Sequence, residues 1–379
     1  MGENLEKVKP ASVIDVAGET AKMCLEETGA NPVRPHMLLF NSNYSHAILS
    51  FVASGHVVIY DAAKQTPVAC LRTTPGEKEV MQAHAAFPSP DDSYIIVANQ
   101  NGKLLERIDT DYKTNSYTLN ADATLNLATC VTENEVPCQL AKVRPDNAPI
   151  CPIIDSSGDL GFVTLRGGGM FVVDPKSNPM AILAEYDMET VKGNGCGGAE
   201  AKGNMYINSG GGTPNQLFGF DVYKFPLHNY KQSNPVNTPT PKVIFADNST
   251  ERDSHGMVAT KQDRFMWVAD RAEKKIEIIS VDSNKRVNTI DLIASGDIKP
   301  TPDLLDISPF GERIFMSLRG PTPLSADPHV SSGAIPGLGV VQVNHNGNNG
   351  FLKGIIPISN MDGDKVERAD AHGIRVRLK

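Results

Sequence analysis

The sequence predicts an all-β fold: a single seven-bladed β-propeller over residues 1–379, closed by joining its N- and C-terminal segments. Three observations predict it. One unit, an apolar strand, a polar hairpin and a second apolar strand, recurs along the chain at intervals of the order of propeller blades. Glycine (32) and proline (26) are plentiful, while apolar stretches of helical period are scarce, which favours strands joined by turns. The two ends complement each other, the first about 30 residues reading as outer strands and the last few as an inner strand.

The clearest unit runs from His255 to Asp270, through Met257-Val258-Ala259, Lys261-Gln262-Asp263 and Phe265-Met266-Trp267-Val268. The same spacing returns from His36 to Phe51, from His84 to Asn99 and from Cys151 to Arg166. Leu304 to Arg319 has the same length but opens on an apolar residue, and Cys196 to Ile207 requires a shortened hairpin. A seventh copy begins at Ala371-His372-Gly373 and runs out of chain. Near the N-terminus, Val13-Ile14-Asp15-Val16 followed by Met23-Cys24-Leu25 repeats the layout of Val58-Ile59-Tyr60-Asp61 followed by Ala69-Cys70-Leu71. That likeness makes residues 1–30 the outer half of the seventh blade, with Cys24 and Cys70 as packing residues on equivalent strands. Blade six carries a long insert, Gly320 to Leu338, which reads as a lid.

The net charge of −8 and the absence of a Lys/Arg-rich block exclude nucleic acid as the main partner. No apolar run approaches the roughly 18 residues of a membrane-spanning helix. The polar start, Met1 to Lys7, lacks a signal-peptide core, so the chain is either cytoplasmic or, if a leader precedes this numbering, periplasmic or secreted. Cys130 and Cys138 flank a polar loop that suits a disulfide and suits two free thiols equally.

The opening residue of each blade's first strand lies at one mouth of a propeller channel. Here that column reads His36, His84, Cys151, Cys196 or Gly197, His255, Leu304 and His372. The chain has nine histidines, so four in one seven-member column is a concentration that asks for a cause. A transition metal supplies one: neutral imidazole suits copper and zinc, and thiolate from Cys151 or Cys196 is a softer ligand for copper(I) or zinc. The alternative is that these histidines hydrogen-bond the neighbouring blade. At the ends of the second strands, Arg166 and Arg319 are placed to hold an anionic or carbonyl substrate and Asp270 to orient a ligand imidazole, or each of them forms an interblade salt bridge instead. His329, in the insert, is either a lid ligand or a loop histidine in solvent, the second being favoured.

On these repeats and this histidine column the chain resembles the seven-bladed YVTN and lactonase-like propellers. The channel histidines are similar in placement to those of nitrous oxide reductase, thiocyanate dehydrogenase and the selenium-binding protein or methanethiol oxidase group. The resemblance implies copper, with zinc as the alternative, held by His36, His84, His255 and His372. Three function classes follow: an oxidoreductase acting on a small molecule, a metallochaperone that passes its metal to a protein partner, and a scaffold that needs no metal.

Overall fold

The recurring unit folds as the inner hairpin of a four-stranded antiparallel sheet. The computed structural model describes residues 8, 10–213, 216–217, 219–231, 237–249, 252–293, 299–324 and 331–378, and among them six such sheets follow one another. Blade 1 comprises β1 (Pro35–Phe40), β2 (His46–Phe51), β3 (His56–Asp61) and β4 (Thr66–Arg72). Blade 2 comprises β5 (Ala83–Pro88), β6 (Tyr94–Asn99), β7 (Leu104–Asp111) and β8 (Ser116–Asn126); blade 3 comprises β9 (Pro149–Ile154), β10 (Gly161–Leu165), β11 (Met170–Asp174) and β12 (Ala181–Tyr186). Blade 4 is built from β13 (Gly198–Ala201), β14 (Asn204–Asn208), β17 (Phe220–Pro226) and β18 (Lys242–Asp247), with a small ribbon of β15 (Gly212–Thr213) and β16 (Gln216–Leu217) between its second and third strands. Blade 5 comprises β19 (Ser254–Ala259), β20 (Phe265–Asp270), β21 (Lys275–Ser280) and β22 (Lys285–Asp291), and blade 6 comprises β23 (Pro302–Ile307), β24 (Arg313–Leu318), β25 (Gly337–Asn344) and β26 (Asn349–Pro357).

One turn chemistry explains why the unit recurs. Asn41, Ser89, Asp155, Thr260 and Ser308 each donate a backbone N–H to the carbonyl five residues on, and each accepts at its own carbonyl from the N–H three residues on. That third residue (Tyr44, Asp92, Gly158, Asp263 or Gly311) is left-handed, with φ between 53° and 78°. The side-chain oxygen of the first residue also accepts the N–H five residues on in all five hairpins, from His46, Tyr94, Leu160, Phe265 and Arg313. Short side chains with an oxygen acceptor are what this turn demands.

The chain divides into two compact units. One comprises Ile14–Asn194 and Pro226–Thr240 and holds blades 1 to 3; the other includes Gly195–Phe225 and Pro241–Leu378 and holds blades 4 to 6. Within the first, β1 packs on β5 and β5 on β9; within the second, β13 packs on β19 and β19 on β23. Second strands such as β6 and β20 are buried along their whole length, because both faces meet apolar layers. Ile48, Ile59, Ile95 and Val97 form the layer between blades 1 and 2, and Trp267, Ile278, Ile314, Met316 and Val341 the one between blades 5 and 6. The outermost β22 is mostly exposed.

Blade number and N-terminus differ from expectation. The described blades are six, not seven. Residues 371–378 form no strand ladder; they lie against blade 6, where Asp306 accepts the N–H of Val376 (2.6 Å). Residues 16–28, expected as outer strands, are helical: a π turn (Val16–Thr20) runs into α1 (Ala21–Thr28), which ends at Gly29 in the left-handed conformation (φ 72°). The helix packs on β4, and Cys24 and Cys70 are joined by a disulfide rather than merely packed as equivalents. Cys130 and Cys138 form a second disulfide.

Candidate metal centre

A break in register sets the geometry of the opening residues. In blades 1, 2, 3, 5 and 6 the second strand's last pairing residue lies opposite Pro35, Ala83, Pro149, Ser254 or Pro302, and the ladder then shifts before it resumes. The residue after each of these is His36, His84, Ile150, His255 and Asp303. A bulge re-aims the side chains within it, and counted from it the column differs by one residue in two blades from the expected one. Asp303 takes the place given from the sequence to Leu304, and Ile150 the place given to Cys151.

Blade 4 keeps Cys196 in the column. Gly197 and Gly256 follow Cys196 and His255, and a Cβ on either would collide with the carbonyl oxygen of the next inner strand's column residue, His255 or Asp303. This close approach is open only to glycine. His372 also holds its place: Ser317 Oγ bonds to the His372 carbonyl as Ser50 Oγ does to that of His84.

In the second unit three column members converge. The ligand atoms of His255, Asp303 and His372 all lie within 4.8 Å of one another, and all three side chains are buried. Nε2 of His255 is 3.2 Å from Oδ1 of Asp303, and the two imidazole centroids are 5.4 Å apart. Nδ1 of His372 is 2.8 Å from both Oδ2 of Asp303 and Nη1 of Arg319; a proton on Nδ1 faces the carboxylate and leaves the lone pair on Nε2, whereas acceptance from Arg319 puts the proton on Nε2. Neither ring nitrogen of His255 makes a hydrogen bond, nor does Oδ1 of Asp303. Buried polar atoms in that condition are costly, and a bound cation would use one nitrogen of His255 and Oδ1 of Asp303.

Charges around the triad keep it in a ligating state. Burial pushes His255 well below the usual imidazole range, aided by Arg271 and opposed by Asp303. Burial likewise lowers His372 against the pull of Asp303. Burial opposes ionisation of Asp303, yet the imidazoles and Arg319 around it outweigh burial and hold the carboxyl well below its usual range. With the imidazoles neutral, the positive charge that Asp303 faces is that of Arg319 and Arg271.

The other expected site residues are placed as follows. His36 and His84 meet in the first unit with centroids 4.5 Å apart and ring planes tilted by 58°. Their Nδ1 atoms donate to the carbonyls of His84 and Ile150, at 2.9 Å each, which is the neighbouring-blade hydrogen bond named as the alternative to a metal. Within the first unit His36 pairs with His84, and within the second His255 pairs with His372. Cys151 and Cys196 are buried, and among the described residues no cysteine is a free thiol, so thiolate ligation would require prior reduction.

Arg319, expected to face substrate, is completely buried and is engaged by Asp303 and by Asp370 (2.6 Å), which makes it a support of the triad. Arg166 is the exposed arginine of the set, paired with Asp146 at 2.6 Å. Asp270 orients no imidazole; it pairs with Arg252 and accepts the N–H groups of Asp253, Ala272 and Glu273, fixing the turn after β20. His329 lies outside the described residues.

No family model matches the sequence, and no curated protein matches it. Solved structures do match. The chain is similar to the β-propeller domain of Cps50 (Swd1) from Myceliophteria thermophila, with TM-score 0.53 and 11% identity over 89% of this chain and 88% of that one. The fold is a β-propeller. A chain of a crystal structure of the mitotic checkpoint complex is also similar, with TM-score 0.51 and 13% identity over 87% of this chain and 81% of that one. At such identities the likeness concerns fold alone, and the propeller seen here has six blades among its described residues. No helix among those residues is long and apolar enough to cross a membrane.

Proposed function

We propose that this β-propeller binds one transition-metal ion through His255, His372 and Asp303, copper first and zinc second. The observation that carries the reading is the convergence of three buried ligand atoms, with both nitrogens of His255 and one oxygen of Asp303 making no hydrogen bond. Two imidazoles and a carboxylate suit copper(II) and zinc, and with the cysteines oxidised no soft thiolate favours copper(I). Disulfides of this kind are kept in oxidising compartments, which supports a periplasmic or secreted protein.

A bound copper ion would supply redox chemistry for a small substrate, the oxidoreductase reading. Release to a protein partner fits less well, because the ligands are enclosed. A metal-free scaffold is the second reading, favoured by the occurrence of a similar propeller in a structure of a protein complex. Elemental analysis of purified chain after copper and zinc supplementation decides between them. One equivalent, lost in His255→Ala and His372→Ala, supports the metal; a supplemented wild type that carries none overturns it. Turnover of small anionic, sulfur or nitrogen substrates by the loaded protein then separates the oxidoreductase from the chaperone.

A further inference from the structure

We propose that Cys24, Cys70 and His56 form a second metal site, for zinc, that becomes available once the Cys24–Cys70 disulfide is reduced. The ligand atoms of the three residues lie within 4.8 Å of one another, and all three side chains are buried. They come from three elements, α1, β4 and β3, so the fold and not a local sequence run brings them together. None of them belongs to the triad at Asp303, and the two sites stand or fall separately.

The surroundings of His56 suit a ligand. Nε2 meets Thr28 Oγ1 at 2.8 Å and Nδ1 meets Ser54 Oγ at 2.9 Å. Either hydroxyl can rotate aside for an ion while the other keeps hold of the opposite nitrogen, the outer contact that fixes a metal-bound imidazole. Thr28 Oγ1 also reaches the Cys24 carbonyl at 2.7 Å, linking ring and helix. Glu27 accepts the N–H of Cys70 at 2.7 Å and so borders the site without belonging to the group of three. Two thiolates, an imidazole and water are a zinc donor set.

The chemistry balances with a dithiol as reductant. Its two thiols give two electrons and two protons to the disulfide; the Cys24–Cys70 S–S bond breaks, two S–H groups form, and the dithiol leaves as its own disulfide. Zinc then forms two Zn–S bonds as both thiol protons pass to solvent. Among the described residues no third His, Cys, Asp or Glu completes a comparable group with Cys130 and Cys138, so that disulfide serves as a control.

The test is cobalt(II) titration of the full chain, reduced with dithiothreitol and desalted without air, followed by thiolate-to-cobalt absorption and by circular dichroism. Cobalt at the His255 site contributes no thiolate band. Because reduction also frees Cys151 and Cys196, which group with His84, all variants are made in a Cys151→Ser/Cys196→Ser background. Expected there are one equivalent of absorbing cobalt, displaced by zinc, in the parent and with Cys130→Ser/Cys138→Ser added; none with Cys24→Ser/Cys70→Ser added; and about tenfold or more weaker binding with His56→Gln added. In that background, no band in the reduced parent, an equal band with Cys24→Ser/Cys70→Ser added, full affinity with His56→Gln added, or loss of the β spectrum on reduction before cobalt is added would each overturn the proposal.

Discussion

Oδ2 of Asp303 accepts a hydrogen bond from Nη1 of Arg319 at 2.7 Å, and neither residue is exposed to solvent. Arg271 stands on the other side, with Nη1 3.6 Å from Oδ1. Asp303→Asn removes the charge that both guanidinium groups face, while size and shape are kept. The expected loss is about 3–5 kcal/mol of stability, the usual consequence of breaking a buried pair from one side. Denaturant unfolding of the metal-free variant beside wild type measures it.

Removing one imidazole from the triad should weaken copper and zinc binding by about tenfold or more, since each ligand lost lowers the affinity of the site. His255→Ala and His372→Ala are the variants, read by competition with a chromophoric chelator. His46→Ala is the control, because His46 bonds to Ser45 and Asn115 and belongs to no such cluster. Equal loss in the control would show that the triad is not the site.

His56 makes stability depend on pH in the oxidised, metal-free protein. Burial, with the nearby Arg72 charge, lowers its pKa from the ordinary 6.5 to about 4. Between these values the unfolded chain binds a proton that the folded chain does not. The contribution is therefore complete above pH 6.5 and declines as pH falls toward 4, with a slope near 1.4 kcal/mol per pH unit for one proton. Urea unfolding at several pH values should show a shallower slope in His56→Gln than in wild type across this window.

The two disulfides should differ in worth. Cys24 and Cys70 are 46 residues apart, whereas Cys130 and Cys138 are 8 apart. Loop-closure entropy puts their contributions at about 4 and about 2.5 kcal/mol. Paired Ser variants compared by thermal unfolding test the order; a larger loss from Cys130→Ser/Cys138→Ser would contradict it.

What the sequence by itself determined was local. The inner hairpins are legible because turn chemistry and strand alternation act over about 16 residues, and the side-chain oxygen of Asn41, Ser89, Asp155, Thr260 or Ser308 closes its turn within that span. The histidine column was visible for the same reason, through its fixed distance from those turns. Asp303 was in fact legible locally, since it stands five residues before Ser308 as His255 does before Thr260; alignment on Arg319 instead of on the turn pointed one residue too far, to Leu304. Only the tertiary structure decided the rest. Residues 21–28 resembled an outer strand because eight residues around one buried cysteine fit either period; the left-handed Gly29 that stops the helix was the local signal against it. The Cys24–Cys70 bond, the pairing of His255 with His372 and the blade count all join residues far apart in sequence. They follow from which surfaces meet when the blades stack, a property of the assembled fold and not of any single segment.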